Sequence, residues 1–117
     1  MKRDDDYIRT LLFEMEASST PFMLAPMHHS MSATELKRHQ HAELLCDAGL
    51  LQASQSGVYR MTNQGHDFLE AIRSDDMWNK TKQGAAAVGG ATLGILRDLA
   101  LAYVRQRAET LLGVDLG

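Results

Sequence analysis

Apolar residues near the N-terminus recur at helical spacing and predict a first helix. On one helical face, at positions i, i+3, i+4 and i+7, the chain carries Ile8, Leu11, Leu12 and Met15. The acidic residues 4–6 precede this face, as is typical of a helix N-terminus, where negative charge and side-chain caps are favoured. Pro21 follows two serines and a threonine and marks the end of this helix. A short strand is predicted next at residues 22–24, closed by Pro26.

A second helix is predicted from about Thr34 to Ala48, with Ser32 or Thr34 as its N-cap. Its core stripe, again at helical spacing, consists of His41, Leu44, Leu45 and Ala48. Before His41 the same stripe is continued only by polar residues. We therefore expect the front half of this helix to project from the body of the protein and to leave its side chains bare.

A β-hairpin is predicted directly after this helix. Gly49 ends the helix, and the runs 50–53 and 58–62 have the composition of short strands. The polar segment 54–57, which contains a glycine, is typical of the turn between two such strands.

A third helix is predicted after Thr62, which serves as its cap. The buried side of this helix consists of Phe68, Leu69 and Ile72. Trp78 would fall on the opposite face if the helix continued straight, so we expect a kink or a restart near residues 74–76.

A last helix is predicted beyond a flexible joint of small residues at 83–91. Thr92 caps this helix, which runs to about Leu112 and ends at Gly113. One broad arc of this helix is apolar and consists of Leu93, Leu96, Leu99, Ala100, Tyr103, Val104 and Leu111. Apolar residues outside the arc, among them Leu101, indicate that this helix contacts more than one neighbour.

The order of these elements predicts a mainly α fold with a small β-hairpin. The order is that of a winged helix-turn-helix: a helix, an ambiguous segment, a helix that ends in Ala-Gly-Leu-Leu, a hairpin and a further helix. We divide the chain into a winged-helix-like domain at 1–82, the joint at 83–91 and a C-terminal helical extension at 92–117.

Charge and cysteine content restrict the function. The formal net charge is −3, from 12 basic and 15 acidic residues, which counts against strong non-specific DNA binding but leaves room for a local basic patch. The single cysteine, Cys46, makes no internal disulfide, so the reducing cytoplasm is the expected compartment. Neither a signal peptide nor a membrane span is predicted.

Two blocks of the chain resemble a known family. The opening MKRD-x-D-x-I-R is formed by Met1, Lys2, Arg3, Asp4, Asp6, Ile8 and Arg9. The block T-x-x-G-H-x-F-L-x-A-x-R-x-D-x-x-W-x-K is formed by Thr62, Gly65, His66, Phe68, Leu69, Ala71, Arg73, Asp75, Trp78 and Lys80. In both blocks the chain resembles a family of uncharacterised bacterial and phage proteins classed as a domain of unknown function. The likeness extends from Met1 to about Lys82 and, more loosely, over the last helix.

The resemblance implies a winged-helix fold and frequent residence in prophage or mobile DNA, and it implies no established activity. One feature departs from a standard winged helix-turn-helix. The first helix of the usual pair is not evident between residues 22 and 32, which affects the expected geometry of docking on DNA.

Four residues are candidates for binding double-stranded DNA. Lys37, Arg38 and His39 lie at the front of the second helix, where a winged helix meets the major groove, and Arg60 lies on the wing, where it would meet the backbone. The alternative is an ordinary solvated helix face, because Glu35 and other acidic residues share this helix.

Three residues are candidates for binding a protein partner. Trp78 could serve as an aromatic anchor or, in the structural interpretation, as part of a hydrophobic seat under a helix restart. Leu101 and Tyr103 belong to the last helix, through which we expect a homodimer. A foreign protein partner is the second interpretation, and plain core packing is the third.

No metal site, cofactor or catalytic centre is predicted. The five histidines and Cys46 show neither Cys-x-x-Cys nor His-x-x-x-His spacing, and His41 is expected to be a hydrogen-bonded core residue. Glu43 and Asp47 beside Cys46 would raise its thiol pKa. We therefore predict a non-enzymatic DNA-binding transcriptional regulator of bacterial or phage origin. The alternative is a protein-interaction module without DNA binding.

Overall fold

The computed structural model describes residues 1–117 and divides them into two compact units. The first unit is Met1–His66 and the second is Asp67–Gly117. The first contains α1 (Asp5–Ala17), β1 (Phe22–Leu24), α2 (Ala33–Asp47), β2 (Leu51–Gln55) and β3 (Val58–Met61). Helix α3 (Asn63–Ala71) begins in the first unit, and the second also holds α4 (Asp75–Val88) and α5 (Leu93–Leu112). This confirms a mainly α fold with a small hairpin.

Helix α1 forms as its sequence predicts. Asp4 is the N-cap, and its side chain accepts a hydrogen bond from the backbone N–H of Tyr7. The four residues of the predicted apolar face are all buried, namely Ile8, Leu11, Leu12 and Met15. The helix therefore has one buried face.

Helix α2 begins at a capping box, in which Ser32 and Glu35 bond each other's backbone N–H groups. Its buried residues are His41, Ala42 and Leu45. Leu44 and Ala48, both expected in the core stripe, are half-buried. The buried face is thus rotated towards Ala42, whose small side chain has no exposed surface.

Three antiparallel strands form one sheet in the order β1-β3-β2. The predicted hairpin is confirmed as β2 and β3, with a bulge between Ala53 and Gln55. Strand β1 pairs with the other edge of β3, so that Met23 lies opposite Tyr59. Residues 25–32, which follow β1, contain no helix, so α2 has no preceding partner helix of the kind found in a helix-turn-helix pair.

The β2–β3 hairpin, which we call the wing, leads into α3, and the start of α3 lies very close to the backbone before β2. A Cβ on Gly65 would collide with the carbonyl oxygen of Leu50 and would lie 2.7 Å from Cγ of Met61. Thr62 braces the same junction, because its hydroxyl donates to the carbonyl of Gly49 and accepts from the backbone N–H of Gly65. Glycine is required at position 65 because the wing and α3 meet there without space for a side chain.

The second unit contains the helix restart that the position of Trp78 predicts. Helix α3 ends at Ala71, and α4 begins at Asp75 with Ser74 as its N-cap. Trp78 is consequently buried, with 3% of its surface exposed.

The predicted joint at 83–91 is wrong for most of its length. Helix α4 continues to Val88, because alanines at 85–87 are strong helix formers and because Gly84 lies against the ring of Tyr103 on α5. Only Gly89 and Gly90, both with positive φ, break the helix before Thr92 caps α5. The two compact units also divide after His66 rather than after residue 82.

Candidate functional site

Lys37, the first predicted DNA contact, is paired within the chain. Its Nζ donates a 2.9 Å hydrogen bond to Oδ2 of Asp4 and lies 4.5 Å from the ring centroid of Tyr7. The hydrogen bond from Lys37, followed by that from the Tyr7 N–H, lowers the pKa of the Asp4 carboxyl. Because Asp4 also caps α1, the charge of Lys37 serves the junction of α1 and α2.

Arg38 is held in the same way. Its Nη1 donates to Oε2 of Glu14 at 2.9 Å, and its Nε donates to the carbonyl oxygen of Leu24 at 3.2 Å. The guanidinium therefore joins α1 and β1 to α2. A phosphate group would have to compete with both partners for it.

His39 and Arg60 complete the predicted DNA-binding set. Nδ1 of His39 donates to the carbonyl oxygen of Ala25 at 2.7 Å, and this side chain is only 14% exposed. Arg60 is exposed on β3 and donates to the side-chain oxygen of Gln52 on the neighbouring strand. The expectation that the front of α2 projects with bare side chains is therefore wrong.

The partners that restrain α2 come from distant parts of the sequence. Asp4 and Glu14 lie 33 and 24 residues before the cations that they bind. The periodicity within α2 indicates only that the face with Lys37 and Arg38 is polar. It does not show that acidic groups of α1 lie opposite that face.

The predicted core histidine is confirmed. His41 is fully buried, its Nδ1 donates to the carbonyl oxygen of Lys37 at 2.8 Å, and its Nε2 accepts from the backbone N–H of Asp4 at 2.9 Å. The ring also contacts Tyr7 edge-on, with 5.0 Å between centroids. His41 and Lys37 thus bind the two polar ends of the same residue, Asp4.

Two weakly acidic side chains of the first unit, those of Cys46 and Tyr59, have raised pKa values. Partial burial, followed by the carboxylates of Glu43 and Asp47, raises the pKa of the Cys46 thiol, as predicted. Burial and a hydrogen bond donated to Glu43 likewise raise the pKa of the Tyr59 phenol. No three His, Cys, Asp or Glu side chains in residues 1–117 are grouped so that they could share a metal ion.

Two of the three predicted partner contacts are structural in the second unit. Trp78 is buried, which contradicts the interpretation as an exposed anchor and agrees with the alternative of a hydrophobic seat under the helix restart. Tyr103 is half-buried, its hydroxyl lies at Gly84 of α4, and Nζ of Lys80 lies 4.7 Å from its ring centroid. Tyr103 therefore packs α5 against α4.

Leu101, the third predicted contact, is exposed and has apolar neighbours on the same side of α5. The spacing of this row is 3-4-3, and we name it the α5 apolar face: Leu101, Val104, Ala108 and Leu111. The exposed fractions of Leu101, Val104 and Leu111 are 38%, 40% and 72%. The buried residues of α5, by contrast, are Leu93, Leu96 and Ala100.

Val104 and Leu111 were predicted to lie in the same broad arc as the buried residues of α5, so the exposed face was not distinguished from the buried one. Helix α5 carries two apolar stripes that overlap on the helical wheel, and α4 covers only one of them. The 3-4-3 spacing of the second stripe is the signal that could have identified it.

Comparisons with known proteins agree with the resemblance found in the two sequence blocks. The profile of a family described as a hypothetical protein (DUF2513) matches residues 2–91. A protein of Haemophilus influenzae named "Uncharacterized protein" is 32% identical over 121 residues, which cover 96% of each chain. No solved structure matches the chain. None of the helices is both long and apolar enough to cross a bilayer.

Proposed function

We propose that this chain, which belongs to the DUF2513 family, acts by binding rather than by catalysis, as a protein-interaction module that uses the α5 apolar face. The observation that carries the proposal is the exposure of Leu101, Val104 and Leu111 on one side of a helix. Isolated apolar residues are ordinary on a protein surface. A continuous row over three helical turns is typical of a helix that binds another protein.

The contacts of α2 support the same proposal. Lys37 and Arg38 are ion-paired with Asp4 and Glu14 at 2.9 Å, so binding of phosphates would exchange existing salt bridges for new ones. With a net charge of −3, the chain lacks the excess of cations that supplies most non-specific affinity for DNA.

A DNA-binding transcriptional regulator is the second candidate function, and the wing favours it. Helix α2 leads directly into the β2–β3 hairpin, and Arg60 is exposed on that hairpin. Arg60 and His66 also line an open cleft of 390 Å³. In this alternative the wing, rather than α2, would supply the contacts to phosphate groups.

DNA binding separates the two candidates. We would titrate fluorescent double-stranded DNA of mixed sequence with the protein at low salt, where phosphate contacts are strongest. The proposal expects no saturable binding. Binding that weakens with salt, and that is lost in Arg60→Gln, would replace the proposal by the regulator.

A matched pair of variants tests the α5 apolar face. Leu101 and Ile95 are both leucine-sized, both 38% exposed and both on α5, but they lie roughly 120° apart around the helix. Tagged Leu101→Glu and Ile95→Glu proteins would be compared in pull-downs from the native host with quantitative mass spectrometry. The proposal expects partners, including untagged copies of the chain, that are lost with Leu101→Glu and kept with Ile95→Glu. Equal recovery with both variants would contradict it.

We place this module in the cytoplasm of a bacterium, in keeping with the cysteine content of the chain. Its one cysteine has no second cysteine to bond. Fractionation of host cells, with the protein followed by antibody, would check the compartment.

A further inference from the structure

We propose that the partner of the α5 apolar face is a second copy of this chain, bound antiparallel along α5. The inference rests on the proposed function and adds the identity, direction and register of the partner. A twofold axis would pass through the midpoint of α5, between Ala102 and Tyr103, so that the 20 residues of each helix overlap completely. The overlap is then about 30 Å long.

This register pairs residues whose sizes are complementary. In the centre, Leu101 of each copy faces Val104 of the other. Farther out, Ala108 faces the aliphatic stem of Arg97, a side chain that buries its methylene groups while its charged end remains in water. Each outer layer and both central layers thus contain apolar surface from the two copies.

The outermost layer places Leu111 opposite Gly94. A Cβ on Gly94 would meet only Oγ1 of Thr92, at 3.8 Å, so the helix surface beside this glycine is open. Leu111 is 72% exposed and would fill that space. The most exposed residue of the α5 apolar face is therefore matched with Gly94, which has no side chain.

Charges beside the face support the antiparallel direction. Asp98 and Arg105 lie on the same flank of the α5 apolar face, one on each side of the proposed axis. Two antiparallel helices bring equal flanks together, so Asp98 of each copy lies near Arg105 of the other. In a parallel pair the same two residues would lie opposite Leu93 and Ala100, and no oppositely charged pair would form.

The size of the face predicts a weak dimer. A standard interface buries about 800 Å² on each partner, and one helix of 20 residues offers less than that. We therefore expect a dissociation constant on the order of micromolar, at which mass depends visibly on concentration.

The mass of the full chain tests self-association. Sedimentation equilibrium across the micromolar range should show a monomer–dimer equilibrium for the wild type and for Ile95→Glu. Leu101→Glu should raise the dissociation constant at least about tenfold, because it places carboxylates in both central layers. Wild-type protein that remains monomeric at every concentration would overturn the inference, as would equal dissociation constants for the two variants.

Cysteine cross-linking tests the direction and the register. In a Cys46→Ala background, Arg97→Cys and Ala108→Cys would be prepared as separate single-cysteine chains. Each cysteine lies 11 residues, about 16 Å, from its own equivalent in the proposed register, which is beyond the reach of a disulfide. Mild oxidation should therefore yield a disulfide dimer only when the two chains are mixed. A disulfide dimer of Ala108→Cys alone would indicate parallel helices and contradict the inference.

The two proposals fail in different ways. A monomeric wild type whose Leu101→Glu variant loses a foreign partner, while Ile95→Glu retains it, would refute the dimer and leave the interaction module in place. If Leu101→Glu changes neither the mass nor the captured proteins, both proposals fail.

Discussion

The backbone N–H of Asp4 donates a 2.9 Å hydrogen bond to Nε2 of His41, 37 residues away in the sequence. Nε2 can accept this bond only when it carries no proton, and Nδ1–H donates to the carbonyl oxygen of Lys37 at 2.8 Å. Both ring nitrogens are thus used, and the neutral form with the proton on Nδ1 is the one that fits. A buried histidine of α2 thereby holds the N-cap of α1.

We predict that His41→Leu destabilises the first unit by about 2–3 kcal/mol, because it removes both hydrogen bonds and leaves a backbone N–H without its acceptor. Urea denaturation followed by circular dichroism would measure the change in the free energy of unfolding. His29→Leu is the control, since His29 is exposed, and its effect should stay within about 0.5 kcal/mol. Equal losses of unfolding free energy in the two variants would contradict the structural role of His41.

The carboxyl of Asp4 predicts a loss of stability in acid. Its pKa is lowered from 3.8, mainly by the hydrogen bond from Lys37. A folded-state pKa below the unfolded one means that the contribution to stability is complete above the unfolded pKa and is lost as the pH falls through the folded pKa. Stability should therefore decline below about pH 4, in part because this group becomes protonated.

Asp4→Asn isolates the contribution of that charge, since asparagine is an equally good N-cap. We expect a loss of about 0.5–1 kcal/mol at pH 7 and low salt, because the pair with Lys37 is partly exposed and screened. The difference in the free energy of unfolding between wild type and variant should shrink at about pH 3, where the Asp4 carboxyl becomes protonated. It should also shrink in about 1 M salt, which screens the ion pair. A difference that does not depend on pH would show that capping geometry, rather than charge, matters here.

A pair of glycines separates close approach from helix propensity. Gly65→Ala would place a methyl group against the carbonyl of Leu50 and the side chain of Met61, and we expect a destabilisation of about 2 kcal/mol despite the better helix propensity of alanine. Gly94→Ala, in a helix with open space beside it, should instead stabilise the protein by about 0.5–1 kcal/mol. The melting temperatures of the two variants, measured on dilute protein, would be compared with that of the wild type. A Gly65→Ala variant that is more stable than the wild type would contradict the close contact between the wing and α3.

Local patterns predicted those parts of the fold that depend on neighbouring residues. The stripe from Ile8 to Met15, the restart before Trp78 and the turn into the wing all depend on spacing, caps and glycines within a few residues. Tertiary contacts decided the rest. Whether Lys37 is available depends on Asp4, and no spacing rule joins residues 33 positions apart.

The candidate interaction surface was only partly predictable for a related reason. Leu101 was identified because it falls outside the main apolar arc, whereas Trp78 allowed two interpretations, of which its burial favours the structural one. A helix with two apolar stripes has no intrinsic inner side. The packing of α4, with Gly84 at Tyr103, determines which stripe is left exposed.

Charge reversal provides the last prediction, since it changes the proposed dimer without altering its apolar layers. In Asp98→Arg, the new arginine of each copy would lie near Arg105 of the other copy. In Arg105→Asp, the new aspartate of each copy would lie near Asp98 of the other. We expect each single variant to raise the dissociation constant by roughly threefold to tenfold at low salt, as exposed pairs contribute about 0–1 kcal/mol each. Sedimentation equilibrium would measure the change.

The double variant Asp98→Arg/Arg105→Asp should restore the wild-type dissociation constant, because it exchanges the two charges and keeps their attraction. Restoration distinguishes a contact between copies from damage to a single chain, since Asp98 also contacts Arg97, and Arg105 also donates to the carbonyl oxygen of Leu116. Raising the salt concentration should reduce the differences between the dissociation constants of the wild type, the two single variants and the double variant. A double variant that dimerises no better than the weaker single variant would contradict the antiparallel register, because only that register places these two residues of different copies side by side.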